Sequence, residues 1–171
     1  IGIFDTSSLN PNLTVRQCLN QAVLLCADPQ RTPEDVESLL AISRFRDYRI
    51  KHLSLGNKRR ASIAQALIGN PELIILDEPF NGLDAGGVDD VLALITELNQ
   101  EHGTSFLLSS HQLPYLEQVC SHIAVLHRGR IAKSAAVADL LNDRATRIRL
   151  RVDSEELARQ VLADLAGVSI E

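Results

Sequence analysis

The sequence contains no methionine and no long apolar run. No stretch reaches 18 unbroken apolar residues, and the first residues do not have the pattern of a secretory signal peptide. A chain of 171 residues that begins at Ile1 and lacks methionine is expected to be a piece of a longer gene product. Its length allows one domain, or most of one.

Cysteine is also scarce, and acidic residues outnumber basic ones. The three cysteines, Cys18, Cys26 and Cys120, are odd in number and lack metal-site spacing, which predicts reduced, partly buried thiols in the cytosol. The formal net charge is -5 and no long basic run occurs, which argues against nucleic acid as a main partner. Internal repeats and low-complexity tracts are not apparent.

The most informative segment is the apolar run 73–76 with the two carboxylates that follow it. Four apolar residues in a row predict a short strand that is buried on both faces of a parallel sheet. Asp77 and Glu78 stand at its carboxyl end, where open α/β sheets bind ligands, and Pro79 and Gly82 then end the run. One carboxylate can join a Mg²⁺ shell while the other orients or deprotonates a water. Taken alone, the segment also fits a buried strand with a solvated acidic turn.

A second apolar strand is predicted over 104–109, with His111 just past its end. Parallel strands end together on one edge, so His111 should share a crevice with Asp77 and Glu78. A histidine there can hydrogen-bond a γ-phosphate, although a single histidine also fits a structural role. The helix between the two strands has apolar positions at helical spacing and is closed by Gly103.

Ser54 precedes a helix predicted over about 57–68. A serine, Gly56 and free amides at a helix N-terminus form an anion site, because unpaired N–H groups and the helix dipole both favour phosphate. The basic run 58–60 (Lys58, Arg59 and Arg60) adds positive potential. Alone, this pattern also fits a capped helix with a basic first turn.

Taken in order, the segment 53–57, the acid strand, the loop 81–84 and the segment 109–111 resemble the nucleotide-binding domain of an ATP-binding cassette (ABC) transporter. Leu55 replaces a glycine and Asn57 a glutamine of the family signature, a form similar to that of bacterial drug- and bacteriocin-export cassettes. The resemblance runs from about Ile1 to about Leu141. It implies an α/β fold: the C-terminal portion of a P-loop NTPase-like parallel sheet, a helical subdomain and a β-α C-terminal extension.

The resemblance also implies roles for single residues. Asp77 corresponds to the aspartate that helps to hold Mg²⁺, Glu78 to the catalytic glutamate and His111 to the switch histidine. Asp84 corresponds to the D-loop aspartate that couples two sites. The signature residues that meet ATP are Ser54, Leu55, Gly56 and Asn57. The implied partners are a transmembrane permease and a second, head-to-tail cassette, with the protein cytoplasmic and peripheral on the inner face of the cell membrane.

Two family features are missing. The phosphate cradle G-x-x-x-x-G-K-[ST] does not occur; the segment 82–88 has similar glycine spacing but neither the lysine nor the hydroxyl. No glutamine stands between Phe4 and Asn12, where the family has its Q-loop glutamine. Asp5 or Thr6 takes that place, or the segment is only a polar turn. The chain therefore resembles a cassette without its N-terminal Walker A part.

The motifs divide the chain into four predicted segments. Residues 1–10 hold a strand remnant and the Q-loop region, and 11–60 a helical subdomain that ends in the signature. In this subdomain Thr14, with Gln17 able to reach back to it, is predicted to cap one helix, and Thr32, followed by Pro33 and two acids, a second. Residues 61–142 form the α/β core, including a short helix over about 113–119 and a hairpin over 123–132, and 143–171 begin a C-terminal extension. That extension has an alternating strand over 147–152, whose basic outer face fits either solvent or a partner, and a helix over 157–165.

Two functional hypotheses follow. The first is part of an ATP-hydrolysing subunit that powers an exporter. The second is a truncated, non-catalytic cassette that acts as an interaction or regulatory module, which the missing cradle and glutamine favour. Chromosome-maintenance and translation-factor ATPases of the same family fit less well, because neither coiled-coil heptads nor a second cassette appears.

Overall fold

The computed structural model describes residues 1–3 and 9–142. The expectations for Phe4, Asp5, Thr6 and the extension over 143–171 lie outside these residues. Among the helices it describes, none is long and apolar enough to cross a lipid bilayer. The elements in chain order are β1 (Gly2–Ile3), α1 (Val15–Leu25), α2 (Pro33–Leu39), 3-10 turns at Ser43–Phe45 and Ile50–His52, α3 (Leu55–Leu67), β2 (Leu73–Asp77), α4 (Ala85–His102), β3 (Ser105–Ser109), α5 (Leu113–Val119), β4 (His122–His127), β5 (Arg130–Ala136) and α6 (Val137–Asn142).

Capping residues set the starts of α1 and α2, as the sequence predicts. The Thr14 hydroxyl accepts the N–H of Gln17, while the Gln17 side chain accepts the N–H of Thr14. Thr32 and Asp35 form the same reciprocal pair at the start of α2. Each pair satisfies amides that have no partner within the helix.

Helix α3 begins at Leu55, two residues before the predicted start at about Asn57, because Ser54 is its N-cap. The helix continues without a break across the predicted boundary between residues 60 and 61, and the division into four segments stays a prediction. Its predicted inner face is buried: Ala61, Ala64, Leu67 and Ile68.

Three parallel strands form the central sheet in the order β1-β2-β3. The register of β2 and β3 places Asp77 opposite Ser109, so both strands end at the same level. Helix α4 crosses between them and ends at Gly103, whose φ of 67° is the left-handed conformation that glycine adopts freely. The predicted apolar face of α4 is buried: Val88, Val91, Leu92, Ile95 and Leu98.

The prediction that β2 and β3 are buried on both faces is wrong for the described part of the chain. Ile74 and Leu76 are completely buried, whereas Leu73 is 44% exposed, Ile75 41% and Leu107 58%. Side chains alternate between the two faces of a strand, and the described helices cover only one face of this sheet. An apolar run therefore shows that a strand is apolar on both sides, but not that both sides are covered.

The predicted hairpin is present as the antiparallel pair β4 and β5, outside the parallel sheet. Its turn consists of Arg128 and Gly129, both with positive φ, 49° and 73°. Two such residues give the turn a twist that matches the flanking strands. Helix α5 has the predicted bounds.

A buried ion pair joins α1 to α2. Arg16 Nε donates to Oε1 of Glu37 and Arg16 Nη2 donates to Oε2, both at 2.7 Å. Glu37 is only 1% exposed. Arg16 also contacts Glu34. Hydrogen bonding to Glu37 raises the pKa of Arg16 above its usual range. The pair fixes the angle between the two helices with charge-assisted bonds.

All three cysteines are free thiols. Cys18 is buried, while Cys26 and Cys120 are half-buried. Burial raises the pKa of the Cys18 and Cys120 thiols, which keeps them protonated near neutral pH. The predicted partial burial is confirmed for these side chains.

Candidate functional site

The ends of β2 and β3 hold the first part of the site. Asp77 is the last residue of β2, and its Oδ1 accepts a hydrogen bond from the hydroxyl of Ser109, the last residue of β3. The hydroxyl fixes one oxygen of the carboxylate. Because the carboxyl ends of parallel strands form the ligand edge of an open sheet, Asp77 lies where the sequence places it.

Glu78 leaves the strand in an unusual backbone conformation. Its φ is 46°, in the left-handed region that non-glycine residues seldom occupy. The Glu78 N–H donates to the Ser109 carbonyl at 3.0 Å, with the Ser109 hydroxyl oxygen at 3.3 Å. The conformation turns the chain away from the strand direction, so Asp77 and Glu78 are held separately although they are adjacent.

Two side chains from the end of β3 hold the Glu78 carboxylate. His111 Nδ1 lies 2.9 Å from Oε1, and the Ser110 hydroxyl donates to Oε2 at 3.3 Å. Glu78 is 26% exposed and His111 69%, so the pair faces an open surface. The strand ends therefore bring His111, Asp77 and Glu78 together as predicted, on an open surface and not in a closed crevice.

The loop after Glu78 connects the acid strand to α4. Gly82 has a φ of 72°, and a β-carbon there would lie 3.0 Å from the Leu55 side chain. Asp84 caps α4, with its Oδ1 accepting the Gly87 N–H at 2.9 Å. The glycines of the segment 82–88 thus form a turn and a helix start, not a phosphate cradle.

The signature residues lie at the start of α3. The Ser54 hydroxyl oxygen is 3.3 Å from the Asn57 N–H and accepts from the Asn57 side-chain amide at 3.0 Å. Ser54 is exposed, and a β-carbon on Gly56 would meet nothing within 4 Å. This helix end is open to a ligand. Leu55 points toward the turn at Gly82 and ties the signature to the loop after the acid strand.

The sequence predicts positive potential from Lys58, Arg59 and Arg60 at this helix end, and two of these side chains also make contacts within the fold. Arg59 is only 4% exposed, and its Nη2 donates to the Glu78 carbonyl at 3.3 Å. Arg60 donates to the Leu40 carbonyl at 3.1 Å and pairs with Asp90 at 3.3 Å. Both guanidinium groups join elements of the fold.

The fold thus gathers two groups of predicted residues. One consists of Asp77, Glu78 and His111; the other is the start of α3. Sequence reasoning missed the residues that hold them, Ser109, Ser110 and Arg59. The two serines could have been found from the rule that placed His111, because they also stand at a strand end next to the acids.

Comparison with protein families gives a match to the model described as "ABC transporter", over residues 2–81. The bacitracin transport ATP-binding protein BcrA of Enterococcus faecalis is 36% identical over 118 residues, which cover 69% of this chain and 37% of that protein. The methionine import ATP-binding protein MetN of Symbiobacterium thermophilum is 34% identical over 139 residues, 78% of this chain and 42% of that protein. The chain spans about two fifths of the length of these relatives.

Solved structures show the same fold. The cbiO1 protein of Clostridium perfringens, part of the ABC transporter complex cbiONQ, matches with a TM-score of 0.70 at 24% identity, over 96% of this chain and 63% of that chain. The dimeric ABC transporter cassette MJ0796 matches with a TM-score of 0.68 at 22% identity, over 80% of this chain and 62% of that chain.

Proposed function

Because the chain belongs to the ABC transporter family of ATP-binding domains, we propose that it is part of a subunit that hydrolyses ATP to power membrane transport. The observation that carries the proposal is the Glu78 carboxylate, held by His111 and Ser110 at the end of β2 beside Asp77. A carboxylate fixed at a ligand edge by a histidine is suited to orient a water against a phosphoryl group.

Asp77 and Glu78 have different tasks in this proposal. With one oxygen held by Ser109, Asp77 would have its other oxygen available to a Mg²⁺ ion, which proteins bind through one or two carboxylates together with phosphate oxygens and water. Mg²⁺ would neutralise charge on the phosphates. Glu78 accepts a hydrogen bond from the attacking water and aligns it. Catalysis then comes from positioning and charge stabilisation.

His111 links the water to the transferred phosphate. Its Nδ1 faces Glu78, which leaves Nε2 for a γ-phosphate oxygen. An imidazolium donates from both nitrogens and can hold the carboxylate and the phosphate at a fixed separation. Its large exposed fraction lets a ligand approach.

The start of α3 serves a second ATP. Its exposed Ser54, open Gly56 and unpaired amides suit phosphate, and Asn57 orients the Ser54 hydroxyl. Two cassettes arranged head to tail would place this end of one against the phosphates bound by the other. Asp84 caps the helix that follows the intervening loop and couples the two sites through it. The proposal requires a phosphate cradle, which these 171 residues lack.

We also propose that the cassette works on a transmembrane permease at the inner face of the cell membrane and drives export. The relatives named for bacitracin transport support an exporter of a peptide antibiotic or similar compound. Since another relative is named for methionine import, transport assays should measure both directions.

ATP turnover by the complete gene product, beside this chain alone, tests the proposal. We expect turnover only in the longer protein, and we expect Glu78→Gln to lower it by about a hundredfold or more, because an amide cannot accept a proton from the water. Glu97→Gln, the same change on the exposed face of α4, is the matched control and should retain activity.

The competing function is a non-catalytic interaction module, which the absent cradle favours. If the complete product neither binds nor hydrolyses ATP, the enzyme proposal fails and the module remains. Turnover that survives Glu78→Gln would also contradict the proposed mechanism.

A further inference from the structure

Arg59 is a buried cation that contacts the backbone of the proposed catalytic residue. Only 4% of it is exposed, and its Nη2 donates to the Glu78 carbonyl oxygen at 3.3 Å. The contact joins helix α3, which carries the signature, to the first residue after β2. It is made to a main-chain atom and not to the carboxylate.

The peptide groups of Glu78 are held on both sides. Its N–H donates to Ser109 at 3.0 Å, and its carbonyl accepts both the Asn81 N–H at 3.2 Å and the Arg59 guanidinium. A left-handed backbone at a non-glycine residue persists only when the surrounding structure determines it from several directions. Of these bonds the one from Arg59 is charge-assisted, the stronger kind.

Arg59 also lies close to the proposed phosphate-binding end of α3. Ser54 caps the helix, and Arg59 lies five positions further along the chain, a rise of about 8 Å. A short run of α-helix moves as a rigid body. Any displacement of its N-terminus by a bound phosphate therefore reaches the Glu78 carbonyl through one side chain.

We propose that Arg59 is a positioning residue that couples occupancy of the signature end of α3 to the backbone conformation of Glu78. Phosphate bound at Ser54 and Gly56 fixes the position of helix α3. Arg59 then holds the Glu78 carbonyl, so that the Glu78 carboxylate is placed to accept a hydrogen bond from the attacking water. The inference rests on the proposed role of Glu78 in hydrolysis. It assigns to Arg59 an effect on the chemical step and not on ATP affinity.

Steady-state ATP hydrolysis by the complete gene product tests the coupling. The variants are Arg59→Met, which removes the donor at similar length, and Arg59→Lys, which keeps a charge. Arg31→Met is the matched control, because Arg31 Nη1 also donates to a backbone carbonyl of α3, that of Leu67 at 3.2 Å, at the opposite end of the helix.

We expect Arg59→Met to lower kcat about tenfold or more with KM for ATP changed less than about twofold, and Arg59→Lys to recover part of the loss. Arg31→Met should keep kcat near the wild-type value. Thermal unfolding of each variant is recorded alongside. If Arg59→Met does not fold, Arg59→Lys should show the same pattern, a lower kcat with little change in KM, but with a smaller fall in kcat.

Two outcomes overturn the inference while leaving the proposed function intact: Arg59 variants that match Arg31→Met in kcat, or variants in which kcat and KM change only in proportion to lost folded protein. A wild-type protein without Glu78-dependent turnover overturns the proposed function itself. The two failures are thus distinguishable in one set of assays.

Discussion

Single side chains in this chain illustrate what a sequence does and does not disclose. Asp77, Glu78 and His111 could be grouped in advance because strand ends follow from apolar runs, and parallel strands share an edge. The burial of Arg59 and Glu37 could not be predicted from the sequence, because a charged residue is ordinarily expected at the surface and its burial depends on a partner that is distant in sequence. Their roles are visible only after folding.

Glu37 leads to a stability prediction. Arg16→Met removes both charge-assisted hydrogen bonds to Glu37. The Glu37 carboxylate, which is only 1% exposed, then lacks its main partner. We expect the free energy of unfolding to fall by about 3 kcal/mol, because an uncompensated buried charge is costly. Urea denaturation at neutral pH measures the change.

The control is the double variant Arg16→Met with Glu37→Leu, which removes both charges. Replacement of a buried pair by apolar groups is often close to neutral, so this protein should recover most of the loss. Equal instability of the single and double variants would show that Glu37 is not held by Arg16.

Whole elements were predicted best where their limits are local. The reciprocal caps of α1 and α2 lie within four residues of sequence, as does the glycine that ends α4, and each was located in advance. The environment of β2 was not predicted correctly, because an apolar run in the sequence does not indicate how many faces of the strand are covered by neighbouring elements. Helix α3 starts two residues earlier than predicted because the Ser54 side chain accepts the N–H of Asn57, so Leu55 and Gly56 already belong to the helix.

The cap of α2 should respond to acid. Hydrogen bonds from Thr32 hold the pKa of Asp35 below its ordinary value of 3.8, so the ionised carboxylate favours the folded state. Its contribution is complete above pH 3.8 and is lost as the pH falls through the lower folded-state pKa. Comparison of Tm for the wild type and Asp35→Asn between pH 7 and the acid range measures it.

The wild type should be the more stable of the two at neutral pH, and the difference should shrink only below about pH 4. Glu101→Gln, at an exposed position on α4, is the control, because it removes a carboxylate that takes no part in a cap. A Tm difference that is independent of pH would mean that the Asp35 charge does not act through the capping pair.

At the scale of the whole molecule, the described chain has a sheet with one apolar face uncovered. Leu73, Ile75 and Leu107 are 41–58% exposed on neighbouring strands. In the described residues β3 is also an edge strand, with backbone groups that can pair with another strand. Contiguous apolar surface of this kind favours association.

We therefore expect the 171-residue chain by itself to bind an apolar dye such as ANS and to self-associate. The double variant Ile75→Thr with Leu107→Thr should weaken both effects, because threonine keeps a strand conformation while reducing apolar surface. Leu24→Gln, at an 85% exposed position on α1, is the control and should change them less. Dye fluorescence and sedimentation velocity provide the measurements, and a monomeric, dye-free chain would contradict the expectation.

The register of β2 and β3 has a consequence for quality control during folding. Asp77 meets Ser109 only when the two strands pair as they do here, and Ser110 and His111 then come to Glu78 across 32 and 33 positions of sequence. A strand that paired out of step would separate these side chains. Assembly of the acid cluster and correct pairing of the sheet are therefore one event, so that a chain with mispaired strands would also lack the proposed catalytic cluster.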